Sequence, residues 1–178
     1  IDFEFTGSFF ELADFFHPQA EQHGVRLRLD LAPGPLTADL DAPHVKQALL
    51  NLMLNAVQAM SDPGRSALRA DTSANAPREL ILRTARETGQ DRRPCAAVHV
   101  IDTGPGIPHD TLLKVFDPYF TTRSGGTGLG LPTARRIIEA HGGRLDARTE
   151  VGRGTDFVAS FPTVGPTPRG QGRPTAMP

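Results

Sequence analysis

From Ser8 to Gln22, Phe9, Leu12, Phe15 and Phe16 recur at helical spacing, which predicts an amphipathic helix. Pro18 lacks an N–H and disfavours a helical residue before it, so it should kink or restart that helix. Gly24 reads as the stop. Val25, Leu27, Leu29 and Leu31 alternate with polar residues, the pattern of a half-buried strand. After the turn Pro33-Gly34-Pro35, Leu36 to Leu40 reads as a short strand. Asp41 is a good N-cap with Pro43 in the first turn, and the helix it opens should run to about Met60, where Ser61-Asp62-Pro63-Gly64 ends it. Arg65 to Arg78 is polar and without period, so a mobile loop is expected. Strands are predicted near Glu79–Arg86 and Ala96–Asp102 around a Gly89-centred turn. A short helix over Asp110–Val115 follows, then a helix over Pro132–His141 stopped by Gly142-Gly143. Arg144–Thr149 and Thr155–Phe161 form a final hairpin turning at Val151-Gly152-Arg153-Gly154. The Pro, Gly and Arg content after Thr163 predicts a disordered tail.

This order suggests helices on one face of a mixed, mostly antiparallel sheet, an α/β sandwich. At 178 residues the chain suffices for one domain with a core. Apolar residues make up 38% and charged residues 22%, as in soluble globular proteins. A net charge of -1, no Trp and one Tyr argue against a nucleic-acid partner. No apolar run reaches membrane-spanning length. The chain begins at Ile1 without a signal-peptide pattern, so it is expected to be a piece of a longer protein, with this domain itself cytoplasmic whether or not the parent is membrane-bound. Cys95 is alone and the six histidines lack ligand spacing, so a metal here should be a hard ion held by oxygens.

Gly125-Gly126-Thr127-Gly128-Leu129-Gly130-Leu131 is the most conspicuous loop. It is no P-loop, because the only two lysines, Lys46 and Lys114, do not follow a glycine. Its GxGxG spacing also differs from the GxGxxG of dinucleotide and protein-kinase loops. On the long helix, Gln47, Asn51, Asn55 and Gln58 fall within an arc of roughly 80°. They form either the solvent-facing stripe or, being uncharged amides flanked by Leu, Met and Ala, a site where phosphates meet a hard cation. Asp102 ends an apolar strand before Thr103-Gly104-Pro105-Gly106-Ile107. It is either an Asx-type turn residue or an acceptor for the amino group of a flat ring.

Together these segments resemble the catalytic, ATP-binding domain of bacterial sensor histidine kinases. Asn51-Leu52-Met53-Leu54-Asn55-Ala56 resembles their N box, and Asp102-Thr103-Gly104-Pro105-Gly106-Ile107 their G1 box. Val115 to Arg123 resembles the F box, Gly126 to Leu131 the G2 box, and Gly152-Arg153-Gly154-Thr155 the last glycine motif. The five stand in the family's order and cover about Gln47 to Phe161. The Asn-Ala-Val-Gln-Ala-Met ending and the short span from Phe116 to Gly126 most resemble the nitrogen-sensor-like branch.

The resemblance implies a Bergerat-type fold with ATP and Mg²⁺ as cofactors. It implies that Asp102 bonds the adenine amino group, with Thr155 helping through water, and that Gly104, Gly106 and Ile107 shape the adenine pocket. Asn55 is implied as the Mg²⁺ ligand and Asn51 as a neighbour of the phosphates. Gln58 stands where many members have Lys, so Arg123 is expected to supply the missing charge from a lid. Within that lid and its hinge, Tyr119, Thr122, Gly126, Thr127 and Gly128 are implied nucleotide contacts. Leu129, Gly130 and Leu131 are implied contacts at the start of the next helix, whose positive end faces the anion. Phe116 is expected in the core and Tyr119 on the moving lid.

Related ATPases and chaperones carry Glu one helical turn before the metal-binding Asn. Here that position is Asn51, a poor base, so transfer to a protein nucleophile is favoured over hydrolysis. None of the histidines lies in the family's phosphoacceptor context. The resemblance therefore divides the chain into a segment 1–7 following a missing dimerisation hairpin, an ATP-binding kinase domain 8–162 and a tail 163–178. It implies as partners that dimerisation domain and, through it, a response regulator, with no membrane contact and a monomeric isolated domain. The alternatives are a related ATPase or serine-protein kinase, and a non-catalytic nucleotide-sensing module.

Overall fold

A computed structural model describes residues 2–62, 77–89 and 92–163. Most of the expected loop before Arg78 and nearly all of the expected tail lie outside them. Strand β1 (Asp2–Glu4) leads directly into helix α1 (Phe5–Gln22). The helix starts three residues before Ser8, because the Glu4 carboxylate caps it by accepting the amides of Thr6 at 2.9 Å and Gly7 at 2.6 Å. Pro18 stands inside this helix without ending it. It lies on the exposed side together with Asp14, the residue whose carbonyl the missing N–H would have bonded, so solvent can take the place of that bond.

Strand β2 (Val25–Asp30) and strand β3 (Thr37–Asp39) follow. β3 pairs antiparallel with β1 in a separate two-stranded sheet. Helix α2 (Ala42–Ser61) is capped by the Asp41 carboxylate, which accepts the His44 amide at 3.1 Å. Val45, Ala48, Leu49, Leu52, Met53, Ala56, Val57 and Met60 recur at three- and four-residue spacing and are buried.

The main sheet contains β2, β4 (Arg78–Thr88), β5 (Pro94–Asp102), β7 (Gly154–Pro162) and β6 (Arg144–Glu150), in that spatial order. Among the described residues of this sheet, β2 and β4 pair in parallel and the other three pairings are antiparallel. Helix α3 is shorter than expected, His109–Leu112, and the chain passes into turns before Val115. Helix α4 spans Gly130–Ala140, two residues ahead of the expected start.

The core lies between one face of the sheet and α1, α2 and α4. Leu80, Leu82, Val98, Val100, Phe157 and Phe161 meet Phe5, Phe9, Leu49, Leu52 and Ile138 there, all essentially inaccessible. Phe116 packs against this core, edge-on to Phe157 with ring centroids 6.2 Å apart.

The opposite face of β5 bears a buried histidine. His99 is 5% exposed, its Nδ1 lying 3.0 Å from Asp156 and its Nε2 3.1 Å from Glu87. The Asp156 hydrogen bond holds its pKa above the ordinary value, against the opposing effect of burial, with Glu87 adding to the rise. A raised folded pKa stabilises the fold below the unfolded value of about 6.5, and that stabilisation is lost as pH rises through the folded value. The melting-temperature gap between the wild type and His99→Gln should therefore narrow by about 2–4 °C from pH 6 to pH 9. A gap that stays constant over this range, read by calorimetry, would remove the charged-histidine account.

Candidate functional site

A cavity of about 360 Å³ opens between α2, the ends of β5 and β7, the loop after β5, and the segment leading into α4. This volume is typical of small-molecule sites. Asn51, Asn55 and Gln58 line it, whereas Gln47, one turn earlier, is exposed and lies outside it. The carboxamide stripe is thus a cavity wall over its last two turns. Leu54 and Ala59 complete that wall.

Asp102 sits at the cavity floor, 4% exposed. Its Oδ1 accepts the Gly104 amide at 2.8 Å, which is the expected turn geometry. Turn residue and cavity acceptor are therefore compatible roles for the one carboxylate. Burial pushes its pKa up to about 6; the Gly104 and Thr155 amides oppose the shift and the charge of Asp156 adds to it.

Thr155, also lining the cavity, stands opposite Asp102 in the β5–β7 register. Gly154 precedes it at φ +128°, and a Cβ there would lie 2.0 Å from the Asp102 carbonyl oxygen. Only a glycine lets the two backbones come this close. Thr149, which no motif singles out, braces the same corner. Its hydroxyl accepts the Ile107 amide at 2.9 Å, donates to the Gly154 carbonyl at 3.0 Å and lies 3.1 Å from the Thr155 hydroxyl. The Gly152 amide donates to Pro105 at 2.8 Å, so the loop after β5 is fastened to the β6–β7 turn. Gly106 and Ile107 reach the cavity from that loop, while Gly104 acts behind it through Asp102.

The far wall is the lid. Thr122, Arg123, Gly126, Thr127 and Gly128 line the cavity, as do Gly130 and Leu131 at the start of α4. Tyr119 and Leu129 do not: Tyr119 is 77% and Leu129 40% exposed. The physical reason is local for Tyr119. Its φ is +65° and its amide donates to the Gly128 carbonyl at 2.9 Å, while its ring stays in solvent. A Cβ on Gly128 would meet the Tyr119 backbone at 2.4 Å, so this glycine permits the lid to close on itself. Phe120, Thr121, Thr111 and Val115 line the site instead, from positions the sequence marks only as apolar or short polar residues.

Arg123 reaches from the lid to α2, where its guanidinium donates to the carboxamide oxygens of Gln58 and Asn55. No side chain caps the N-terminus of α4, so its first-turn amides add a modest positive potential at the cavity. The site thus offers a buried acceptor at one end and neutral oxygens, backbone amides and one guanidinium at the other.

Residues 40–165 match the model of the histidine kinase-, DNA gyrase B- and HSP90-like ATPase family. The sensor histidine kinase ZraS of Klebsiella oxytoca is 34% identical over 146 residues, covering 82% of this chain and 28% of that protein. The sensor protein FixL of Bradyrhizobium diazoefficiens is 34% identical over 145 residues, covering 82% of this chain and 26% of its own. The chain therefore spans about a quarter of the length of the curated relatives it matches. Among solved structures, the catalytic domain of histidine kinase ThkA superposes with a TM-score of 0.72 at 25% identity, covering 92% of this chain and 95% of that one. Full-length ShkA in complex with AMPPNP superposes with a TM-score of 0.68 at 26% identity, covering 89% of this chain and 30% of that one. With its mixed sheet, its one-sided helices and its cavity at the ends of β5 and β7, the chain belongs to the histidine kinase-, DNA gyrase B- and HSP90-like ATPase family, as a catalytic domain of the sensor histidine kinase type.

Proposed function

We propose that this domain holds ATP and donates its γ-phosphoryl group to a histidine on a separate dimerisation domain, which in turn serves a response regulator. The observation that carries the assignment is Asp102, a buried carboxylate at the floor of a cavity whose opposite wall is built of amides. An ionised carboxylate only accepts hydrogen bonds, so it suits the amino group of adenine and disfavours the ring carbonyl of guanine. Thr155 assists through water, and Gly106 and Ile107 close around the ring. The likeness to ShkA, which was solved with AMPPNP, supports a nucleotide in this place.

The opposite wall fits a triphosphate and a hard cation. Asn55 offers a neutral oxygen, and among the described residues no group of three His, Cys, Asp or Glu side chains could hold a metal on its own. Mg²⁺ would be held by Asn55 with phosphate oxygens and water completing its shell, and when bound it would neutralise phosphate charge. Asn51 and Gln58 present amides to the phosphates, and Arg123 brings the positive charge. Thr122, Gly126, Thr127, Gly128, Gly130 and Leu131 close the phosphate end through short side chains and backbone. Asn51 is too weak a base to activate water, so the domain retains the phosphoryl group for transfer. In this reading the domain works on the cytoplasmic side, as a monomer apart from its dimerisation partner. Among the described residues no helix is long and apolar enough to cross a membrane.

Calorimetric titration should show ATP and ADP binding, strengthened by Mg²⁺, and no GTP binding. Asp102→Asn should weaken ATP binding by roughly 10–100-fold, the worth of a hydrogen bond to a charged group; unchanged affinity would remove the adenine assignment. Because the ionised carboxylate accepts the amino group more strongly than the protonated carboxyl does, affinity should be level above pH 7. It should fall as pH drops through about 6, by about tenfold in total. That fall should be missing from Asp102→Asn.

Incubated with labelled ATP and Mg²⁺, the chain alone should form no phosphohistidine, yet it should label a dimerisation domain added in trans. Steady ATP turnover comparable to dedicated ATPases would instead place it with the hydrolases, and failure to bind any adenine nucleotide with the degenerate sensing modules.

A further inference from the structure

The lid arginine is engaged with the α2 wall of the cavity. Arg123 is half-buried, whereas Thr121, Thr122 and Ser124 beside it are exposed. The turn around it is shaped to aim it inward. The Arg123 amide donates to the Thr121 hydroxyl at 3.2 Å, and the Gly126 amide donates to the Arg123 carbonyl at 3.2 Å. Its two terminal nitrogens then donate to carboxamide oxygens one turn apart on α2, those of Gln58 and Asn55. Among the described residues lining the cavity, Arg123 is the single cationic side chain and Asp102 the single anionic one. A guanidinium with planar, paired donors suits two oxygens held at this spacing.

The oxygen of Asn55 accepts this guanidinium, and it is the same oxygen that would have to accept a divalent cation. We propose that Arg123 acts as an internal cation which latches the lid to Asn55 and Gln58 in the nucleotide-free domain, and that phosphate oxygens draw it away to expose Asn55 to the metal. This rests on the ATP-binding role proposed above. Gln58 is then a positioning residue for the arginine. A lysine at that place on α2 would repel the guanidinium, whereas the glutamine carbonyl receives it. Release of the latch and metal entry become one exchange at Asn55, because a guanidinium and a divalent cation on one oxygen would repel each other.

The test is amide hydrogen exchange of the nucleotide-free chain, combined with ATP titrations with and without Mg²⁺. In Arg123→Ala, the amides of Tyr119, Phe120 and Gly126 should exchange roughly three- to tenfold faster than in the wild type, the loss of two partly exposed charge-assisted bonds. Those of β5 and β7 should be unchanged, which certifies the fold. Gln58→Leu, which removes one acceptor and leaves Asn55, should shift the same amides in the same direction by less. Without the guanidinium the phosphates depend more on the metal, so the ratio of ATP Kd without Mg²⁺ to that with it should rise about tenfold in Arg123→Ala. Unaltered lid exchange in both variants, with ATP still bound, would overturn the latch and leave the ATP site standing. Faster lid exchange in a chain that binds no nucleotide would establish the latch and overturn the ATP assignment.

Discussion

The corner where the end of β5 meets the start of β7 sets the geometry of everything functional in this domain. Asp102 and Thr155 face one another across a register fixed by eight paired positions, and Gly154 brings the two backbones into direct contact. Thr149 and Pro105 then tie the neighbouring turn and loop to that corner. The carboxylate is thereby carried into the protein on rigid strands, which is where a recognition group has to be if its position is to be reproducible. Its burial has a thermodynamic cost. The folded chain holds the Asp102 proton up to a pH of about 6, against 3.8 for an ordinary aspartate. Ionisation above that pH works against folding by on the order of 3 kcal/mol, and relief comes only as pH falls toward the unfolded value. The large apolar core between the sheet and its three helices is what allows the fold to carry that penalty.

Most of the architecture was legible because the elements that make it obey strong local rules. The spacing of Val45, Leu49, Leu52, Ala56 and Met60, with Asp41 before and Ser61-Asp62 after, leaves little choice about α2. The alternation in β2 and the paired glycines after α4 are equally local. What could not be read was set by partners distant in sequence. Glu4 caps α1 through its side chain, yet a carboxylate in a short N-terminal segment announces no such bond. Pro18 disfavours a helix, but its exposed placement lets the missing hydrogen bond go to solvent. The pairing of β1 with β3 depends on residues some 35 positions apart and has no signature in either segment.

The site shows the same division. Asn51, Asn55, Asp102 and Thr155 could be placed because they stand in ordered motifs, and all four line one cavity. Phe120, Val115, Leu54 and Thr111 line it too, though as ordinary apolar or small polar residues they are indistinguishable from core and loop positions until the chain is folded. Thr149 is a single hydroxyl that satisfies three neighbours, a role that exists only in three dimensions. Tyr119 and Leu129 were drawn toward the nucleotide by the motifs that contain them, while the backbone of Tyr119 and the exposure of both place them outside. A motif identifies a segment; the dihedral angles within it decide which side chains face inward.

The outward tyrosine has an optical consequence. The chain contains no tryptophan and Tyr119 is its single tyrosine, whereas its ten phenylalanines absorb at shorter wavelengths. All near-ultraviolet absorbance and emission beyond the phenylalanine band therefore originates in one ring, mounted in solvent on the closing segment of the cavity. The domain carries a native chromophore at its most informative position, with no competing signal from the core.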